Sequence, residues 1–599
     1  MGVCVLPEPP RNAGRTAQYA DYIEEVLAHA GLRYKRIRLD DLPGHLASLR
    51  VLLTVGDAPL TDARKQALEQ WVQQGGAWLS VAGVCGLETV LGVTPELPAY
   101  ASWGGGTCNL GEGYLHVSGA SSAAENPLAS EPHPVTSSLI LPLHFFGGIA
   151  VTATGADTLA TALDAHQRPT RRAVLTENQF GLGCALLIAA DLTGTLVRIQ
   201  QGICVTRDGI AASDGTAPVS DGVLKSDDGA VLDWAFDRQD VPGVPGYRAF
   251  LEPVADQWRD LLLRAVFYLA QRQRLVLPLL WLYPRNLPAI AHLSHDTDGN
   301  TPAEGRRLLE VLKEIDARST WCVIAPGYAP PLIEEIRAAG HELAMHYDAM
   351  SDGLPWSREQ FTQQFHALTA LFSDRPPITN KNHYLRWEGD TEFYGWCEAL
   401  GIQLDQTKGV SKTGEAGFNF GTCHPYFPLA PDGTRHDVLE LCTPTQDLEV
   451  FAPTALLAPL LSAVVRHHGV LHLLFHPAHI FKPGVADAMR MAAERVRACG
   501  MEFRTATELN QWERARRACV WTDGEQPRTM NLKPSMTLPG ATILLLLAEP
   551  TTVMVNGDPL PVHEVERWGF RFQSVTFDME REITYTLRFQ QDSREEQML

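Results

Sequence analysis

Two hydrophobic rhythms alternate along the chain. Apolar residues at three- and four-residue spacing predict amphipathic helices, and the short solid apolar runs between them predict buried strands. Residues 14–30 carry the helical period and stop at Gly31, a residue suited to the position just past a helix end. Residues 34–39, 49–55 and 77–82 read as strands, and 59–74 as a helix that ends at Gly75-Gly76. Strand, helix, strand in this order predicts a parallel α/β sheet. Residues 100–160 read as loops and short strands. Residues 200–247 have almost no period, so they form a lid, an arm onto a neighbouring domain or a mobile segment. A helix over 256–271 closes this first region.

From residue 289 the rhythm resumes with cleaner punctuation. Strands are expected over 290–293, 320–324, 341–346, 378–383, 402–405 and 470–476. The helices between them cover 303–317, 331–339, 358–372, 391–400, 454–467 and 485–499. Thr301-Pro302 looks like an N-cap followed by Pro at the first helical position. Beyond Trp521 the runs are short and alternating, and Asn556-Gly557 is a hairpin turn signal. At ~150 residues per domain, 599 residues hold three or four domains. The fold class expected is multidomain α/β: an N-terminal parallel α/β domain over 1–275 with its insertion near 200–247, a central parallel β/α domain, barrel or open sheet, over 276–520, and a small antiparallel β domain over 521–599.

Charge and cysteine content exclude several classes. The formal net charge of −20 argues against nucleic acid or an anionic membrane as partner. The longest apolar run, residues 541–548, is far too short to span a bilayer. The opening residues lack a basic segment followed by an apolar one, so no secretory leader is expected. Eleven cysteines without paired CxxC spacing suit free thiols in a reducing compartment. A cytoplasmic location is the resulting expectation.

The candidate chemistry lies where the central strands end. The first runs out into His295-Asp296-Thr297-Asp298-Gly299. In extended chain, residues two apart share a face, so Asp296 and Asp298 are expected to project together and to call for a cation or a shared proton. The following strands end in His346, His383, Asp405 and His476. In parallel sheets the carboxyl ends of strands share one face, where ligands bind. Five such ends carrying Asp or His favour one convergent site.

The ordered motifs HDTDG, GHELAMH, NHYLRW, LDQT and LLFHP resemble the polysaccharide deacetylases of the NodB-homology group, carbohydrate esterase family 4, over residues 289–510. The resemblance implies a distorted (β/α) barrel and a metal-dependent hydrolase that removes acetyl groups from an N-acetylated sugar or polysaccharide. It makes Asp296 the catalytic base, Asp298 and His346 metal ligands, Arg386 the partner of the base, Asp405 the carboxylate that orients the last His, and His476 the general acid. The family's second metal His falls at Met350, a poor ligand, so His383 is the candidate replacement. A site of one carboxylate and two imidazoles suits Zn²⁺ first, with Co²⁺, Mn²⁺ or Ni²⁺ also accepted. Tyr384, Trp387, Trp356 and Tyr426 lie near the motifs and could line a glycan cleft. Met350 also motivates a second reading, a non-catalytic glycan-binding scaffold, and an allantoinase-like hydrolase of small amides is a third.

Residues 49–90 resemble class I glutamine amidotransferases, the ThuA-like and β-galactosidase trimerisation-type relatives especially. Cys85 follows a strand and a tight turn as their nucleophile does. The His-x-Glu that glutaminase activity needs is missing at His133-Pro134-Val135, so Cys85 is read as a buried small hydrophobe and the domain as inactive. The trimerisation-type likeness makes a homo-oligomer an expectation, alongside a carbohydrate substrate.

Overall fold

The computed structural model describes residues 1–6, 19–97, 108–117, 132–140, 142–209, 222–411, 414–526, 528–546 and 551–591. The start of the first predicted helix, much of the 100–160 region, the middle of 200–247 and the end of the tail lie outside these residues. The chain divides into two compact units.

The first unit comprises Met1–Leu196, Gln257–Asn286 and Ala515–Leu599. Its main sheet opens with five parallel strands, Lys35–Arg36, Gly2–Val5, Val51–Val55, Ala77–Val81 and Gly183–Ile188, and continues with antiparallel ones. Val51–Val55 and Ala77–Val81 are buried throughout, which is why they read as solid apolar runs without alternation. The residues after 520 form two antiparallel sheets, and Leu277–Leu280 pairs into one of them beside Leu538–Leu546. Cys85 sits after Ala77–Val81 in the left-handed region, φ 57°, its N–H donating to Asp57 Oδ1 at 2.8 Å. Burial pushes its thiol up to about 12, so it stays protonated. His133 faces Glu177 at 3.2 Å.

The second unit comprises Val197–Asp256 and Leu287–Arg514. Its sheet is parallel. From one edge the strands are Leu439–Glu440, Leu404–Asp405, Thr379–Asn382, Glu342–Tyr347, Thr320–Ile324, Ile290–Asp296 and Val470–Leu474. It forms a half-barrel rather than a closed one. Helices such as Pro302–Glu314, Pro330–Ala338 and Leu457–His467 cover it with the apolar stripes that the sequence pattern predicts. Of the readings of 200–247, the described residues fit an arm. Val205 bridges to Gly389, Lys225 bridges to Arg386, and Ser226 Oγ donates to Thr407 O at 2.9 Å.

No described helix is long and apolar enough to cross a membrane. All eleven cysteines are free thiols.

Candidate metal centre

The strand Ile290–Asp296 is buried at every position and delivers Asp296 at its carboxyl end. Pleated alternation does not continue to Asp298, contrary to the expectation for an extended i, i+2 pair. Asp298 takes a left-handed conformation, φ 32°, and Asn300 does too, φ 49°. Thr297 donates to Asn300 Oδ1 at 2.8 Å, and Asn300 Nδ2 donates to Ile324 O at 3.1 Å, which fixes the turn. A non-glycine residue held there is strained by about 1–2 kcal/mol, an arrangement that collects at functional sites. Both carboxylates still reach one place. His346 Nε2 lies 3.3 Å from Asp298 Oδ1 and 4.0 Å from Asp296 Oδ2.

Asp298, His346 and His383 offer ligand atoms that all lie within 4.8 Å of one another. The two imidazoles are held alike from behind. His346 Nδ1–H donates to Lys381 O at 2.9 Å, and His383 Nδ1–H donates to Asp348 Oδ1 at 3.1 Å. Each therefore turns the lone pair of Nε2 toward Asp298, the tautomer a metal ligand needs. Among the described residues His346 Nε2 and Asp298 Oδ1 are buried with no hydrogen-bond partner, a costly state that a cation between them would relieve. Charge points the same way. Among the described residues, Asp296, Asp298, Asp348 and Asp447 crowd carboxylates together here with Lys381 and His476 as charged partners, a balance that a divalent ion would improve. The donor set fits Zn²⁺ or a similar ion.

Met350 contributes its backbone: its N–H donates to Asp348 Oδ1 at 2.9 Å and braces the carboxylate behind His383.

Two residue assignments need correction. Arg386 does not pair with Asp296. It lies beyond its strand, in the turn after His383, where its guanidinium binds Glu388 and the carbonyl of Ala349. The cation beside Asp296 is Lys381, whose Nζ is 3.3 Å from Asp296 Oδ1 and donates to Ser294 Oγ at 2.7 Å. Asp405 does not orient His476, because four strands of the sheet separate theirs. It accepts from Asn380 Nδ2 at 2.8 Å and Thr407 Oγ1 at 2.9 Å, and burial raises its carboxyl.

Asp447 takes the orienting place. It accepts the backbone N–H of His476 at 2.8 Å and a short bond from His476 Nδ1–H, and it lies 3.2 Å from His479 Nδ1. His476 Nε2 then points toward Asp298 Oδ2, 3.8 Å away. Burial works against a charged His476, yet Asp447, Asp296 and Asp298 prevail and raise it to about 9. At neutral pH it carries a proton.

Changing Asp447 to Asn should cost roughly 10²–10⁴-fold in kcat. Asp405→Asn should leave kcat within a few-fold and show instead in the melting temperature. Kinetics of the two variants under one assay check this.

The strand Thr379–Asn382 holds the signal for Lys381. It reads TNKN and is buried at all four positions. Polar side chains enter a core only with partners, so such a strand marks a polar interior. Nothing in the local sequence marks Asp447, which comes from a loop.

No family model matches the chain, and no curated protein matches it. Among solved structures, a putative polysaccharide deacetylase from Mycobacterium smegmatis is similar at 19% identity, over 39% of this chain and 92% of that one, with a TM-score of 0.31. A CE4 family pseudoenzyme from Bacillus anthracis is similar at 13% identity, over 38% and 66%, with a TM-score of 0.26. A β-galactosidase from Bacillus circulans is similar at 15% identity, over 33% of this chain but only 30% of that one, with a TM-score of 0.23. Likenesses this weak carry no conclusion about activity.

Proposed function

We propose that the second unit is a metal-dependent hydrolase that removes an acyl group, acetyl first, from the amide of an amino sugar. The observation that supports this is the pair of imidazoles locked at Nδ1, His346 by a backbone carbonyl and His383 by Asp348, with both Nε2 atoms turned to Asp298. Asp298, His346 and His383 would hold the ion. When bound, it supplies Lewis acidity toward a carbonyl oxygen and acidifies water.

The chain's own residues divide the proton work. Asp296, paired with Lys381, accepts the proton of the attacking water. His476, braced by Asp447 and protonated, donates to the departing nitrogen, which leaves poorly as an anion. Base and acid thus enter from the ends of neighbouring strands, Ile290–Asp296 and Val470–Leu474. The carbohydrate part of the reading draws on the motif resemblance.

The test is acetate release. Zinc-loaded protein should free acetate from N-acetylated oligosaccharides, chelation should abolish release, and added Zn²⁺ should restore it. Full metal occupancy with no acetate from a broad panel of acetylated sugars would overturn the proposal.

A further inference from the structure

A second cluster of metal-ligating groups lies behind the proton-donating imidazole. Asp447, His476 and His479 offer ligand atoms that all lie within 4.8 Å of one another. His479 has no part in the proton transfers. It closes the short 3₁₀ turn Pro477–His479 that follows His476. Side chains three apart eclipse in such a turn, which sets the two imidazoles on one side, their ring centroids 5.3 Å apart. The ring of His476 separates this cluster from the first metal centre. Its Nε2 turns to Asp298 and its Nδ1 to Asp447.

Both rings converge on one oxygen. Asp447 is fully buried, and its Oδ1 accepts the His476 backbone N–H at 2.8 Å. Its Oδ2 faces His476 Nδ1 in a short hydrogen bond and His479 Nδ1 at 3.2 Å. Among the described residues, His479 Nδ1 is buried with no hydrogen-bond partner. A buried ring nitrogen that lies beside a carboxylate oxygen without bonding to it is a costly state, which a shared cation would relieve. The spacing agrees. Ligands bound to Zn²⁺ at 2.0–2.1 Å and tetrahedral angles stand about 3.3 Å apart, close to the separation of His479 Nδ1 and Asp447 Oδ2. Only the contact with His476 has to open.

We propose that Asp447, His476 and His479 form a second cation site for Zn²⁺ or a similar ion. It is weaker than the first, because the ion must displace a proton. The His476 Nδ1–H bond breaks, the proton leaves to solvent, and the Nδ1 lone pair binds the ion. Filling this site inhibits the chemistry at the other. His476 then keeps only its Nε2–H, and a metal-bound neutral imidazole gives up that proton far less readily than an imidazolium does. The departing nitrogen loses its donor. The inhibition rests on the hydrolase reading above, and the second site does not.

Metal content and turnover are measured separately. Full-length protein is dialysed against a series of free Zn²⁺ concentrations, and bound zinc is counted by plasma emission spectrometry. The unmodified protein should fill two sites in separate steps. His479→Ala should keep the first step, which also reports an intact fold, and weaken the second by about 100-fold or more. His346→Ala should lose the first step and keep the second. One ion per chain at every concentration, or a second step that His479→Ala leaves unchanged, would overturn the proposal. Acetate release is followed over the same series. It should rise with the first ion and fall by roughly 10²-fold with the second, and in His479→Ala the fall should disappear. Release that stays level as the second ion binds would overturn the inhibition. Two steps with the expected dependence on His479, but no acetate at any concentration, would uphold the second site and remove the hydrolase.

Discussion

Asp296→Asn protein is expected to lose turnover by roughly 10²–10⁴-fold while its metal content stays unchanged. Asn keeps the size of the side chain and removes the basic oxygen. The ligand atoms of Asp298, His346 and His383 are not altered. The change has a second consequence, because Lys381 is fully buried and 3.3 Å from Asp296. Removing one partner of a buried ion pair costs about 3–5 kcal/mol. The single variant should therefore melt at a lower temperature. Asp296→Asn combined with Lys381→Met removes both charges and should regain stability without regaining turnover. Metal analysis, thermal melts and acetate assays on the three proteins separate the chemical loss from the structural one. Retained turnover in Asp296→Asn would exclude it as the base.

The second large effect concerns the metal. His383→Ala should weaken zinc binding by more than about 100-fold, since loss of even the groups that orient a ligand costs 10–100-fold. His346→Ala should do the same. Met350→Ala should leave affinity within a few-fold, because Met350 braces Asp348 through its backbone N–H, which alanine retains. Competition with a chromogenic chelator measures all three. Unchanged affinity in His383→Ala would remove His383 from the ligand set.

Some of this arrangement was legible in the chain and some was not, for identifiable reasons. Strand ends are legible because burial makes an apolar run and solvent or ligand ends it. The runs at 290–293, 341–346 and 470–476 mark the strands Ile290–Asp296, Glu342–Tyr347 and Val470–Leu474, with Asp296, His346 and His476 at or just past their ends. Pairings across space were not legible. Arg386 lies near the motif, but the turn through Tyr384 and Leu385, both at positive φ, carries it to Glu388. Lys381 is buried, and its partners Asp296 and Ser294 come from another strand, which the local sequence does not reveal. Asp405 ends a strand as expected, yet strand order rather than chain order decides its neighbours, and that order puts it far from His476. Asp447 comes from a loop without a periodic pattern, so no rhythm announces it. The deletion of alternation at Asp298 has the same origin, since a turn residue obeys local hydrogen bonds rather than the pleat.

Drawing the second imidazole from His383, rather than from the turn after His346, changes what a captured ion does to the polymer. It links Asp298 to a residue 85 positions further along the chain, across the strands Ile290–Asp296, Glu342–Tyr347 and Thr379–Asn382. Tying so large a loop in the native state and not in the denatured one adds RT ln(1 + [ion]/Kd) to the free energy of unfolding, about 4 kcal/mol at a thousandfold excess over Kd. A cation held there would therefore be a clasp on the fold as well as a reagent, and stripping it should loosen the half-barrel as it silences the chemistry.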